Sequence, residues 1–335
     1  MKKVAVITAT RNRAGSPERP GYLEPCIRSV CDQDYENHVH VVVDDGSVDA
    51  TPDLVEFYAD RDPRIVYLRR EKPDGERMTA SIAQNMGIDA VMNPDKYGKT
   101  DELGGVECVA MLHSDDLLPP HSLGSRVEAM EDNARDACVY GAMNIIRECD
   151  CSRVFLTLRP QPSMGSMDLN QLYMAVSRRV IPFPNHTMLW KKGFLSYVGT
   201  FDPDLSLGED FDMSLTTMKK AMSIGCGMTA VDQPVYYYRS HSDSITGMLG
   251  KSTIKADRQR IREKHHDIPS QRALMLRRLV RRPHSFLPEP VKKILRPVRD
   301  YFRGAAGSVY TDGFAEEMAG LGSDFWDSRK ARVYV

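Results

Sequence analysis

Two acidic pairs stand where chemistry could sit. Asp44-Asp45-Gly46-Ser47 follows the apolar run Val39–Val43, and His113-Ser114-Asp115-Asp116 follows Cys108–Leu112. If both runs are strands of one parallel sheet, both pairs come to the edge where such sheets bind ligands. One pair could accept hydrogen bonds from a base or ribose. The other could hold a divalent cation, Mg2+ or Mn2+, with phosphate oxygens of a diphosphate completing its shell. Taken alone, Asp-Asp-Gly-Ser is better read as a turn with a helix cap, and Ser114-Asp-Asp-Leu-Leu-Pro119 reads equally well as a turn. Spacing by itself decides nothing, because Asp-x-Asp recurs at 32/34, 60/62, 202/204 and 210/212. Only 113–116 lies between a strongly apolar run and a Pro-Pro pair.

The elements that must position these residues alternate. Val4-Ala-Val-Ile-Thr8 predicts a buried strand, and apolar residues at 23, 26, 27 and 30 predict a helix over Tyr22–Cys31. Strands follow at Val39–Val43, Ile65–Leu68 and Cys108–Leu112. Helices follow from Thr51, read as a cap with Pro52 in the first turn, and over Ala80–Met92. Strands alternating with helices imply a parallel sheet with right-handed crossovers. After about residue 130 the pattern loosens into strands at 139–146, 154–158 and 235–238 and helices at 169–176 and 211–222. The fold class expected is α/β, with a mostly parallel central sheet flanked by helices and a C-terminal helical extension.

Composition removes several function classes. The 335 residues carry 45 Lys+Arg against 46 Asp+Glu, which disfavours a general nucleic-acid binder. No run approaches the ~20 apolar residues of a membrane span. Seven cysteines without a regular framework suggest free thiols in a reducing, cytoplasmic setting. Between Arg272 and Arg303 there are ten basic residues and two acids, Glu289 and Asp300. Solvated helices are the default reading of this tail. Peripheral contact with anionic lipid through 272–303 is the sharper one, since Leu274, Leu276, Leu279 and Val280 interleave with arginines; packing on a second subunit is a third. Prolines 283, 288, 290 and 297 interrupt any long helix there. The sequence leaves the oligomeric state open.

Six segments in order carry a resemblance: Val6-Ile-Thr-Ala-Thr-Arg-Asn12, Val43-Asp-Asp-Gly-Ser-Val-Asp49, Ala83-Gln-Asn-Met-Gly87, His113-Ser-Asp-Asp116, Gly208-Glu-Asp-Phe-Asp212 and Tyr238-Arg-Ser-His241. From about residue 3 to 245 the chain resembles the family 2 glycosyltransferases of the GT-A fold. The resemblance implies a nucleotide-diphosphate sugar donor, usually UDP-linked, a Mn2+ or Mg2+ cofactor, and a glycan or lipid-linked acceptor. It implies that Thr8, Thr10 and Arg11 lie at the nucleotide loop and that Asp44 or Asp45 meets the base. Arg77 falls near the diphosphate, and Ser114 and Asp115 lie on the donor. Asp115 and Asp116 match the metal site, which His241 approaches in some members. Asp210 matches the general base, with Glu209 beside it. A base within reach of the incoming hydroxyl is what inverting transfer requires, and carboxylates at a helix start are favoured by its dipole. The domains implied are 1–130 for the nucleotide-sugar half, 131–250 for the acceptor and catalytic half, and 251–335 for the basic extension.

Two departures stand out. The family's first metal-site aspartate is His113 here, and its frequent Ala-Arg-Asn is Ala83-Gln84-Asn85, for which Arg77 or Arg11 could compensate. The Gln-x-x-Arg-Trp signature of processive synthases is absent, so addition of a single sugar is expected, in surface glycan or polysaccharide assembly. The rivals are a sugar-phosphate nucleotidyltransferase, whose Gly-rich N-terminal loop Thr8–Gly15 supplies only in part, and a silent sugar-nucleotide or glycan-binding module. Gly225-Cys-Gly-Met-Thr-Ala230 has the letters of a dinucleotide fingerprint but follows a helix and precedes a strand, the reverse of its requirement. Cys149-Asp-Cys151 is too closely spaced for a usual zinc site. Asn185-His-Thr187 reads as a glycosylation sequon without meaning in a chain that stays in the cytoplasm, and Trp190 as core packing.

Overall fold

A valine-rich run without charge can lie only where both its faces are covered. The computed structural model places β1 (Lys3–Thr10) and β2 (His38–Asp44) at the centre of such a sheet, with Val4–Ile7 and Val41–Val43 wholly buried. It describes residues 1–15, 21–73, 75–76, 79–147, 150–158, 168–177, 183–241 and 251–265. The chain divides into two compact units, one of Met1–Pro160 with Pro184–Arg239 and one of Gln161–Phe183 with Ser240–Val335.

The first unit is built on one mixed sheet. Adding β3 (Ile65–Arg69), β4 (Val106–Met111), β5 (Cys138–Arg147), β6 (Asp150–Leu158), β7 (Leu189–Lys191) and β8 (Met228–Ser240), its order is β3-β2-β1-β4-β7-β5-β6, with β8 paired to β5. The first four strands are parallel; β7 runs antiparallel to both β4 and β5. Register matches Val4 to His38 through Thr10 to Asp44 across β1–β2, and Val4 to Cys108 through Ile7 to Met111 across β1–β4. Side chains of opposite parity serve opposite faces. Val4 and Val6 pack in one cluster with Leu123, Val127, Met130 and Tyr236. Ile7 meets Gly87, where an added Cβ would lie 2.4 Å from Ile7 Cγ2. The glycine is what lets that helix sit so close.

The helices in this unit are α1 (Leu23–Cys31), α2 (Thr51–Ala59), α3 (Ser81–Met92), α4 (Thr100–Leu103), α5 (Ser122–Asp132), α7 (Lys192–Val198) and α8 (Glu209–Ser223), with α6 (Leu169–Ser177) and α9 (Lys251–Lys264) in the second. Helix α1 buries Leu23, Cys26, Ile27 and Val30, the stripe its spacing predicts. The start of α2 differs from expectation. Thr51 does not cap its own helix; its Oγ1 accepts the amides of Arg13 and Ala14 at 2.9 and 3.1 Å. Those two N–H groups belong to a loop with no ladder of its own, so they compete successfully for the hydroxyl. Trp190 is buried and donates its Nε1–H to Thr217 Oγ1 at 3.0 Å. In the second unit the hydroxyl of buried Tyr173 lies 3.4 Å from both Nδ1 and the carbonyl oxygen of His265. The basic stretch 272–303 lies outside the described residues, as does Cys149. Among the described residues no helix is long and apolar enough to cross a membrane.

Candidate active site

The parallel order β2–β1–β4 sets three strand ends side by side. The acidic pairs after β2 and β4 therefore flank the loop that leaves β1. That loop is fastened to its neighbour: Asn12 N donates to Ser47 Oγ, and Val48 N donates to Asn12 Oδ1, each at 2.9 Å. Asn12 takes a φ of 52°, a left-handed conformation that asparagine tolerates because its short side chain bonds locally.

Asp44 is buried and faces inward. Its Oδ1 accepts from Ser47 N at 2.8 Å and its Oδ2 from the Tyr67 hydroxyl at 3.0 Å, so it shapes the turn. Burial, then the charge of Asp44, pushes the Tyr67 phenol up to about 12. Asp45 is 6% exposed and sits between Arg70 Nε at 3.1 Å and Lys72 Nζ at 3.3 Å, with Glu76 bridging the same two cations. Of the two aspartates expected to meet a base, Asp44 is taken up by the turn and by Tyr67, whereas Asp45 pairs with the two cations after β3. Thr8, expected in the nucleotide loop, lies wholly buried inside β1 with its Oγ1 2.8 Å from His40 Nε2, so it supports the loop from beneath. Thr10 Oγ1 and Arg11 Nε are buried with no hydrogen-bond partner among the described residues. Asn85 exchanges hydrogen bonds with the backbone of Phe201 at 2.9 and 2.8 Å and is a tether. Arg77 lies outside the described residues.

At the end of β4 the two aspartates part company. Asp116, 1% exposed, accepts from the Tyr236 hydroxyl on Oδ2 and from Arg239 N on Oδ1, each at 2.7 Å. Tyr236 in turn accepts from His113 N at 3.1 Å. Burial, and next the charge of Asp115, raises the Asp116 carboxyl well above its ordinary value. Asp116 thus pins the β4 loop to β8, beside a backbone exchange between Leu117 and Tyr237 at 3.0 and 2.8 Å. Both of its oxygens are engaged inside the protein. Asp115 instead faces Arg13, with Oδ2 3.4 Å from Nη2; Ser114 beside it is buried. The guanidinium of Arg13 lies 5.8 Å from the centroid of the Tyr22 ring and that of Arg239 5.2 Å from the same centroid. Arg239 is 4% exposed, and its Nε and Nη2 have no hydrogen-bond partner among the described residues. Burying a guanidinium is costly unless something negative meets it. An anion suits this position.

Helix α8 starts after Gly208, whose φ is 79°, and carries Glu209, Asp210 and Asp212 in its first turn. Carboxylates there are favoured by the helix dipole. Asp210 Oδ2 lies 3.3 Å from His186 Nε2. The His186 ring is 4.7 Å from His113, edge to face, and stacks on Tyr236 at 5.6 Å and Tyr238 at 5.8 Å. Burial pushes this imidazole down to about 4, against the pull of Asp210, so it is neutral at neutral pH. Its backbone sits in the turn Asn185–Thr187. There the fully buried Arg126 donates Nη1 to Thr187 O at 3.1 Å and Nε to Ser122 O at 3.0 Å. Burial lowers Arg126 to about 10, which leaves it protonated.

His186 therefore meets Asp210 directly and feels the charge of Asp115 at the β4 end as well. Glu209 is buried in the same helical turn as Asp210. His241 belongs to the second unit. Sequence reasoning missed His186, Arg239, Tyr236, Arg13, Arg70 and Lys72. Arg70 and Lys72 were within reach, because they follow β3 at the edge already argued for β2 and β4. His186 and Tyr236 have no local signal, since their partners are distant in sequence. Among the described residues no group of three or more His, Cys, Asp or Glu is arranged to cage a metal.

Residues 5–154 match the family described as glycosyl transferase family 2. This span is a family 2 glycosyltransferase domain. The family 2 domain holds both acidic pairs, whereas His186 and Asp210 lie beyond it. The chain is 32% identical over 99 residues to EpsH of Bacillus subtilis (strain 168), an alignment covering 30% of this chain and 24% of that protein. It is 24% identical over 123 residues to glycosyltransferase GlyG of Streptococcus pneumoniae serotype 4, covering 37% and 35%. These alignments span only a quarter to a third of the relatives' length. Among solved structures, S. aureus TarS 1–349 in complex with UDP matches with a TM-score of 0.56 at 16% identity, over 96% of this chain and 79% of that one. TarS 1–349 in complex with UDP-GlcNAc matches with a TM-score of 0.54 at 16% identity, over 92% and 77%. At this identity the likeness concerns the fold, which is GT-A.

Proposed function

We propose that the chain is a metal-dependent, inverting and non-processive glycosyltransferase that moves a sugar from a nucleotide-diphosphate donor to an acceptor hydroxyl. The observation that carries the reading is the Asp210 carboxylate held against His186, a ring that also feels the charge of Asp115 at the β4 end. Asp210 takes the proton of the acceptor hydroxyl as its oxygen bonds to the anomeric carbon. The bond to the leaving oxygen breaks on the opposite face, and its electron pair leaves with the nucleoside diphosphate. Arg239 and Arg13 bind the pyrophosphate, and Asp45 with Thr10 lies at the base and ribose end. We adopt a UDP-linked donor because TarS, which shares the fold, is seen with UDP and UDP-GlcNAc. The acceptor we envisage is a glycan or lipid-linked glycan, at the cytoplasmic face of a membrane.

A divalent cation fits the donor set in a limited way. With Asp116 engaged by Tyr236 and Arg239, Asp115 is the carboxylate that would hold Mn2+ or Mg2+, and such ions commonly bind one or two carboxylates plus substrate phosphates. When bound, the ion would offset negative charge on the departing diphosphate.

The test is release of nucleotide from a panel of UDP-sugars, with EDTA and then with added Mn2+. EDTA should abolish release and Mn2+ restore it. Asp210→Asn should lose roughly 10²–10⁴-fold in turnover while calorimetry shows UDP still bound. Wild-type turnover in that variant overturns the assignment of the base. Turnover of UTP with a sugar phosphate, and none of UDP-sugars, would make the chain a nucleotidyltransferase instead.

A further inference from the structure

The transferase reading leaves His186 without a task, although it touches the proposed base. A buried polar ring needs a reason to be there. Three features limit what the reason can be. Its ring plane is set by Tyr236 and Tyr238 in stacked contact and by His113 edge-on. Its backbone is set by a short turn, with Thr187 N donating to Pro184 O at 3.1 Å and Arg126 holding Thr187 O. Its Nε2 is 3.3 Å from Asp210 Oδ2, whereas its Nδ1 is buried with no hydrogen-bond partner among the described residues.

A neutral imidazole has one N–H and one lone pair. Placing the N–H on Nε2 gives Asp210 a donor; placing it on Nδ1 would set the lone pair of Nε2 against a carboxylate oxygen. The first tautomer is the favourable one. The ring carries no net charge, so it does not act as a counter-ion. What it can offer is direction: a donor on Oδ2 orients the carboxylate and leaves Oδ1 for a proton arriving from substrate.

We propose that His186 is the positioning residue of this site, aiming the Asp210 carboxylate at the acceptor hydroxyl through an Nε2–H donated to Oδ2. The proposal rests on the transferase reading above. Its elements are not interchangeable with packing, because the aromatic stack alone could be kept by a residue with no N–H. That separates the two roles experimentally.

The experiment compares wild type, His186→Phe and His186→Gln in steady-state release of nucleotide. Thermal melting and UDP affinity are recorded for each. His186→Phe keeps a flat ring against Tyr236 and Tyr238 and removes the donor. It should lower kcat by about 10²-fold, the scale of a misplaced reacting group, with donor KM and UDP affinity unchanged. His186→Gln presents an amide N–H in place of Nε2 and should recover roughly tenfold of that loss. If the Phe variant does not fold, His186→Met serves as the donor-free variant beside the same Gln rescue. Equal kcat in wild type and the donor-free variant overturns the proposal. So does a donor-free variant that raises KM or weakens UDP or Mn2+ binding with kcat intact, because it would make His186 a ligand. A wild-type chain that releases no nucleotide from any donor sinks the transferase reading itself, and this role falls with it.

Discussion

Tyr236→Phe is the substitution that best isolates how the β4 loop is held to β8. It removes one oxygen and leaves the ring in the core cluster with Leu123, Val127 and Met130. That oxygen donates to Asp116 Oδ2 at 2.7 Å and accepts from His113 N at 3.1 Å. A hydrogen bond of this kind contributes about 0.5–1.5 kcal/mol, and a buried donor left unsatisfied costs about 1–3 kcal/mol. The ring volume is unchanged, so no cavity term adds to these. The expected loss is about 3 kcal/mol, or roughly 6–12 °C in Tm for a unit of this size. Urea unfolding followed by circular dichroism measures it, and a cycle with Asp116→Asn should show coupling above about 1 kcal/mol. Additive effects of the two substitutions, or a loss below about 0.5 kcal/mol, would refute the view that Asp116 is a pin between the β4 loop and β8.

Two further predictions concern the sheet. Burial, and next the neighbouring His38, pushes His40 down to about 3, below its ordinary 6.5. The unfolded chain therefore binds a proton that the native state refuses, so stability is full above pH 6.5 and falls as pH drops toward 3. The effect is on the order of 4 kcal/mol at the acid end; His40→Gln should flatten the slope of unfolding free energy between pH 6.5 and 4, and an unchanged slope would reject the assignment. Gly87→Ala would set a methyl 2.4 Å from Ile7 Cγ2 and 3.3 Å from Val43 Cγ2. Overpacking of this kind costs about 1–3 kcal/mol, and a variant as stable as wild type in urea would show that α3 can shift freely on β1.

Local physics made half of this molecule readable. Strands β1, β2 and β4 are apolar runs bounded by polar loops, and the edge rule for parallel sheets then located both acidic pairs without any knowledge of contacts. The same logic stops where pairing is distant. β7 has three residues, Leu189–Lys191, too few for any periodicity, yet it sits between β4 and β5 and changes the sheet from parallel to antiparallel. Asp116 and Tyr236 are 120 residues apart in sequence, so nothing near either one announces that they bond. Asp44 and Asp45 look alike in the sequence and differ only by parity, one turned to Tyr67 and the other to Arg70 and Lys72. His186 was visible only as the middle of a sequon, a pattern with no bearing on what the folded chain does with its imidazole.

The stitches among Asn12, Ser47, Arg13, Ala14 and Thr51 have a dynamic meaning. Two segments separated by a strand and a helix share four hydrogen bonds, so each restrains the other. On the function proposed above, a nucleotide held by one segment would be felt by both, and lengthening either by insertion would unfasten the other. On that same proposal, a new base preference would call for redesigning both segments together.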